Sequence, residues 1–257
     1  MNQPNTTEKQ SFVASVLLDE AQWSKAQFIN DLHALWGIEI EEKDVTAKEP
    51  NTFVEQIEKS ILIVSFMNVP VPNGEAEQNA AMNWMWKDGV SVVQNHKAHI
   101  LVVVQGESEP SEKAMILTMA VSTLLKQNST TSVLVDGIVH ADKYYEVYTD
   151  MMKAGEFPTP LHVWIGLTNQ NDKAGMYTFG LRKFGKEEME IYYDSNETDP
   201  QEVQEFINNL ANYVVTSNVT FKDGETVGVS ETHFCKISLS EGIAVDGNSL
   251  KIDYTQE

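Results

Sequence analysis

The chain has 257 residues, 42% hydrophobic and 9% aromatic, which excludes general disorder and provides for one large domain or two small ones. Its net charge of −20 excludes nucleic-acid binding through a basic surface. The longest apolar stretch, Ile61–Met67, is far short of the roughly 18–20 residues of a membrane-spanning helix, so no membrane partner is expected.

Polar Met1–Gln10 lacks the apolar stretch of a secretory signal, and a disordered tail over residues 1–10 is expected. Phe12–Leu18 is a β-type run. Asp19 is the expected N-cap of the next stretch, where Phe28, Ile29, Leu32, Leu35 and Trp36 recur at helical spacing before Gly37. Phe53–Ile57 and Ile61–Met67 read as strands joined by Glu58-Lys59-Ser60, and Pro70–Gly74 as a loop. A helix is expected from Glu75 to about Asn95, interrupted near Gly89. Its first-turn carboxylates Glu75 and Glu77 occupy the positive end of its dipole. His99–Val104 returns as an apolar strand.

A connecting helix with Ile116, Met119, Ala120, Thr123 and Leu124 on one face follows. Val133–Val139 then reads as one strand, and Asp142 caps a helix bearing Tyr144, Tyr148, Met151 and Met152. Leu161–Leu167, Met176–Leu181 and Glu190–Tyr193 are strands. Asp199-Pro200-Gln201-Glu202 is the strongest helix start, with aspartate at N-cap, proline at N1 and glutamate at N3. Val203, Phe206, Ile207, Leu210 and Val214 mark its expected buried stripe. Thr226–Val229, Phe234–Leu239 and the run through Leu250, Ile252 and Tyr254 complete the strands. Cys235 falls with Ile237 and Leu239 on an apolar face, so the single cysteine reads as a buried structural thiol.

The fold class is α+β. The order suggests two ferredoxin-like βαββαβ units in tandem, forming one compact α/β sandwich: residues 11–106, a connecting helix within 107–130, and residues 131–257. A single α/β sheet with coincidental ordering is the alternative.

The chemistry-bearing motifs are sparse. His96 and His99 straddle a helix-to-strand transition with no third ligand nearby, so a capping role is expected and no metal. No Gly-x-Ser-x-Gly elbow, phosphate loop or Gly-x-Gly-x-x-Gly occurs, and neither catalytic residues nor cofactors are expected. Trp84 and Trp86, if helical, stand about 200° apart, so one of them is left outside the core; Tyr144 and Tyr145 pose the same problem. Trp86 and Tyr145 are therefore candidate partner-binding anchors. From Glu187 to Glu257, three lysines face fifteen acids, a net −12. Glu187, Glu188, Glu190, Asp194, Glu197, Glu202 and Glu205 are the candidate acidic contacts, against the default reading of a solvated face.

Several stretches resemble the bacterial family called domain of unknown function 4261. These are Leu35-Trp36-Gly37, Pro70-Val71-Pro72 with the Trp84 helix, and His96-Lys97-Ala98-His99-Ile100. Further on come Val163-Trp164-Ile165-Gly166, Tyr177-Thr178-Phe179-Gly180-Leu181, Phe184-Gly185, Glu188-Met189-Glu190, and Phe221 through Gly228. The resemblance spans about Ser11 to Tyr254. It implies no activity and no catalytic residues; such families sit among toxin–immunity and secretion genes.

The expectation is a cytoplasmic, non-enzymatic acidic protein of the immunity type, which neutralises a basic toxin by binding it. The alternative is an enzyme or small-ligand binder with a cleft between the two halves.

Overall fold

In the computed structural model the described residues are 10–40, 49–230 and 232–254. The expected tail lies outside them apart from Gln10. The chain divides into two compact units, the first ending at Leu161 and the second beginning at His162.

The first unit opens with β1 (Phe12–Leu18) and α1 (Lys25–Trp36), followed by β2 (Thr52–Ile57) and β3 (Ser60–Met67). Ser24, not Asp19, caps α1: its side chain accepts from Gln27 N, and Gly37 closes the helix at φ 67°. Residues 19–23 stay out of the helix because other contacts hold them. Asp19 N donates to Ser129 O at 2.9 Å, and the Trp23 ring stacks on Phe66 at 6.4 Å. After a 3-10 turn at Pro72–Gly74 come α2 (Glu75–Met82), α3 (Gly89–Val93) and β4 (Ala98–Gly106). The interruption expected near Gly89 spans residues 83–88. Then follow α4 (Pro110–Leu124), β5 (Thr130–Val135), β6 (Ile138–Ala141), α5 (Asp142–Lys153) and the short α6 (Thr159–His162).

The first sheet runs β2-β3-β4-β1-β5-β6, each neighbouring pair antiparallel. Val16 faces Ile100 on one side and Val133 on the other, so Ala14, Val16, Ile100, Val102, Val133 and Val135 form one apolar face. That face packs under α4, whose Ala114, Leu117, Ala120, Val121 and Leu124 are buried. On the opposite face Leu17, Leu134 and Val139 pack with Ala76, Ala80 and Val93 of α2 and α3.

This order corrects the ferredoxin-like expectation for the first half. A split βαβ unit keeps helix-linked strands parallel, with another strand between them. Here β3 and β4, linked through α2 and α3, pair directly and antiparallel, Val64 opposite Val102. The boundary at residue 131 moves as well. Val133–Val139 is not one strand but a hairpin turned at Asp136-Gly137, with φ 45° and 89°. Its first arm pairs with β1, which places β5 and β6 in the first sheet.

The second unit contains β7 (Trp164–Gln170), β8 (Lys173–Phe179), β9 (Glu188–Tyr193), α7 (Pro200–Thr216), β10 (Thr226–Gly228), β11 (Phe234–Glu241) and β12 (Asn248–Asp253). Its sheet runs β10-β11-β12-β9-β8-β7, antiparallel except for the parallel pair β9·β12. Two strands can run parallel side by side only through a long crossover, and here that crossover includes α7. Met176, Met189, Ile191, Ile237, Leu250 and Ile252 are buried together with Val203, Ile207, Leu210 and Val214 of α7. Cys235 is buried among them, and burial, reinforced by the charge of Asp253, pushes its thiol up to about 11. The α+β class stands, with one sheet in each unit.

The start of α7 is built as expected: Asp199 Oδ1 accepts from Gln201 N at 2.9 Å, ahead of Pro200. Phe206, expected in the buried stripe, is instead half-buried, its ring 5.4 Å from that of Tyr254. Asp199→Ala is therefore expected to cost about 1 kcal/mol, read as a lower urea midpoint. Ile207→Ala should cost about 2–5 kcal/mol by leaving a cavity, and Phe206→Ala less than Ile207→Ala. An unmoved midpoint for Asp199→Ala would show that the carboxylate does not hold the helix start.

Candidate functional site

The candidate acidic residues separate into two groups. Glu187, Asp194, Glu197, Glu202 and Glu205 are exposed. Asp194 accepts from Asn196 N and Nδ2, both at 2.9 Å, and these two bonds hold its carboxyl below the usual range. Glu188 and Glu190 are buried, at 3% and 0% exposure, which corrects their expected place on an acidic surface.

The reason is that each of these two carboxylates anchors a loop. Glu190 Oε1 accepts from Ile243 N at 2.9 Å, Ala244 N at 3.2 Å and Ser249 Oγ at 3.2 Å. Its Oε2 takes Tyr192 OH at 3.1 Å and pairs with the Lys251 ammonium at 3.2 Å. Burial works to raise the Glu190 pKa, but the amide donors and Lys251 outweigh it and hold the carboxyl below its usual value. Glu188 Oε2 accepts from Thr178 Oγ1 at 2.7 Å, and Oε1 from Gly180 N at 2.9 Å and Arg182 N at 3.2 Å. Here burial prevails over the donors and the pKa is raised. Two carboxylates two residues apart are thus pushed in opposite directions.

The aromatic anchors are corrected too. Trp86 lies beyond the end of α2, in a turn built by Asn83, whose Oδ1 accepts from Met85 N and Trp86 N while its Nδ2 donates to Val139 O at 2.8 Å. That turn packs Trp86 against the Leu17–Val139 cluster and leaves Trp84 39% exposed. Tyr145 is fully buried, and its ring meets His140 at 6.1 Å. Burial drives His140 down to about 4, so it is neutral at pH 7, with Nε2–H donating to Leu161 O at 3.1 Å.

His96 and His99 have the capping role expected of them. His96 donates from Nδ1 to Val93 O at 2.6 Å and accepts Val71 N at Nε2 at 2.8 Å, while His99 donates from Nδ1 to Val69 O at 2.9 Å. Together they hold the proline loop. Among the described residues no group of three or more His, Cys, Asp or Glu could hold a metal. A cleft of about 130 Å³ between α1, α4 and α5 is lined by Trp36, Lys126, Glu146, Asp150 and Lys153. Its wall charges pair as Lys126–Glu146 at 3.0 Å and Lys153–Asp150 at 3.1 Å. It falls below the roughly 300 Å³ at which ligand pockets begin.

One surface feature was not read from the sequence although its spacing was visible. Glu202, Glu205, Asn209 and Tyr213 share the outward face of α7, and all four are exposed, Tyr213 at 49%. No helix among the described residues is long and apolar enough to cross a membrane.

The opposite pKa directions give a signed test. A carboxyl depressed by folding stabilises above its unfolded pKa and loses that contribution as pH falls; one raised by folding does the reverse. Glu190→Gln is thus expected to cost about 3 kcal/mol at pH 7, by leaving Lys251 without its partner, and distinctly less at pH 3. Glu188→Gln is expected to cost more at pH 4 than at pH 7. Urea midpoints across this range decide the matter, and equal costs at both ends would refute the assignment.

No curated protein and no solved structure matches the chain. The family resemblance is upheld over part of the span read from the sequence, from Tyr177 in β8 to Asp253 in β12, a stretch that holds both buried carboxylates and α7. Over those residues, 177–253, the chain matches the model of the family described as Domain of unknown function (DUF4261).

Proposed function

We propose that the protein is a non-enzymatic acidic binding protein that acts by covering a basic protein partner, as an immunity protein covers its toxin. The observation that carries this reading is the outward face of α7. Glu202 and Glu205 stand exposed on its first turns, with Glu187, Asp194 and Glu197 exposed in the segment leading to them. Tyr213 continues the same face as an exposed aromatic. Carboxylates whose field sums over a surface speed encounter with a basic protein, and a tyrosine gives amphipathic contact area at low entropic cost. The overall charge of −20 acts in the same direction. The buried carboxylates support the reading in another way. All the oxygens of Glu188 and Glu190 are engaged by protein donors, which leaves neither placed as a free general base.

The test is a pull-down that identifies the partner, followed by surface-binding kinetics. Reversing charge at Glu197, Glu202 and Glu205 together should slow association about tenfold or more with the fold intact, because steering acts on encounter. Association should also slow as salt rises from about 50 to 500 mM and the Debye length shrinks from roughly 14 to 4 Å. Tyr213→Ala should instead raise the dissociation rate. An acidic partner, or binding indifferent to salt, would overturn the reading.

A further inference from the structure

Between Met67 and Asn73 the chain dips into the interior at a single residue. Met67 through Pro70, Pro72 and Asn73 are exposed, whereas Val71 is 6% exposed and packs with Leu17, Ala76, Ala80 and Val93. Proline lacks an N–H, so Val71 N is the one backbone donor that residues 70–72 possess. That donor goes to a titratable acceptor, His96 Nε2, at 2.8 Å. Two further bonds hold the loop: His99 Nδ1 donates to Val69 O at 2.9 Å, and Gln78 Nε2 donates to Asn73 O at 3.0 Å. Neither needs an unprotonated ring nitrogen.

The geometry fixes where a further proton on His96 must go. Because Nε2 accepts from Val71 N, the hydrogen of the neutral ring sits on Nδ1, which donates to Val93 O at 2.6 Å. The next proton can enter only at Nε2. There the new N–H would point at the N–H of Val71, two donors with no acceptor between them. The closed loop and the imidazolium therefore exclude each other.

The surroundings favour the charged ring. Glu77 Oε1 on α2 lies 3.8 Å from His96 Nδ1, and Glu77 Oε2 is shut away from water with no hydrogen-bond donor. A carboxylate so placed gains from a positive ring beside it. His99 on β4 also faces His96, and burial lowers its pKa, which keeps it uncharged. Residues 68–74 and Gly89–Val93 of α3 contain no titratable side chain, and Glu75, Asp88 and Lys97 on the flanking segments are exposed.

We propose that His96 is a proton-operated latch: in mild acid one proton from solvent enters at Nε2, Val71 N loses its acceptor, and residues 70–73 lift off the Leu17–Val139 cluster while His99 keeps its hold at Val69. The lifted loop uncovers the apolar side chains that Val71 covers, beside Met67 and Val69, already 39% and 54% exposed. Acid thus opens on the first unit an apolar surface that is closed at neutral pH. The latch does not depend on the reading of α7.

Nuclear magnetic resonance of the full chain from about pH 7.5 to 4.5 tests the latch across the ordinary range of imidazole titration. As the His96 Nε2 signal passes from acceptor to protonated, the protection factor of the Val71 amide should fall about tenfold or more. The amides of Leu117 and Val121, buried in α4, should keep theirs. His96→Gln offers an acceptor near Nε2 that takes up no proton, so Val71 should stay protected throughout. Glu77→Gln removes the carboxylate that favours the charged ring, and the opening should move down by about half a pH unit or more. If His96→Gln fails to fold, the wild-type comparison of Val71 with α4 decides by itself. A ring that stays unprotonated over the whole range, or Val71 protection that is unchanged as His96 titrates, would overturn the proposal. So would loss of that protection only together with α4, equal loss in His96→Gln, or an opening unmoved in Glu77→Gln.

Discussion

A carboxylate removed from water is costly unless donors replace the water it loses. Glu190 meets that condition on β9, an inner strand of the second sheet, by gathering donors from three parts of the chain. Tyr192 comes from its own strand, Ser249 and Lys251 from the parallel neighbour β12, and Ile243 N and Ala244 N from the β11–β12 loop. The last of these lie 53 and 54 residues away along the chain, so the pairing closes the crossover that includes α7. Glu188 fixes the turn at 180–182 from the same strand, and Arg182 in turn donates to the carbonyls of Asp246 and Asn248. Two loops of the family-matched segment are thereby tied both to β9 and to each other.

The first unit uses neutral imidazoles in the same capacity. His96, His99 and His140 each spend ring nitrogens on backbone groups, and burial lowers the pKa of His99 and His140. At His99 and His140 a protonated imidazole would carry a desolvated charge, so the neutral form is the one that fits there. Across both units, the buried polar side chains that look most chemical in the sequence serve to hold turns in place.

What could be read from the sequence follows from the range of the interaction involved. Local signals were legible: the Gly37 stop, the Asp199-Pro200 start, the period-2 burial of Cys235 and Ile237, and the break in the helix near Gly89. Asp136-Gly137 was equally legible as a hairpin turn and was passed over, which merged β5 with β6 and shifted the boundary. The pairing order was not legible, because β5 joins β1 across more than a hundred residues. Glu188 and Glu190 alternate with Met189 and Ile191, the pattern of a strand with one wet face; only the loops folded over that face remove the water. The helical angle between Trp84 and Trp86 did not apply, since Asn83 ends the helix before either of them.

The buried thiol of Cys235 gives this architecture a built-in clock. Held near 11 and shut away on β11, it has almost no thiolate at neutral pH, and no reagent reaches it while the second sheet is closed. Because it is the single cysteine of the chain, any alkylation records one event: the parting of β11 from the helix side of its sheet. The rate of that labelling measures how often the second unit opens under native conditions, separately from the stability of the first.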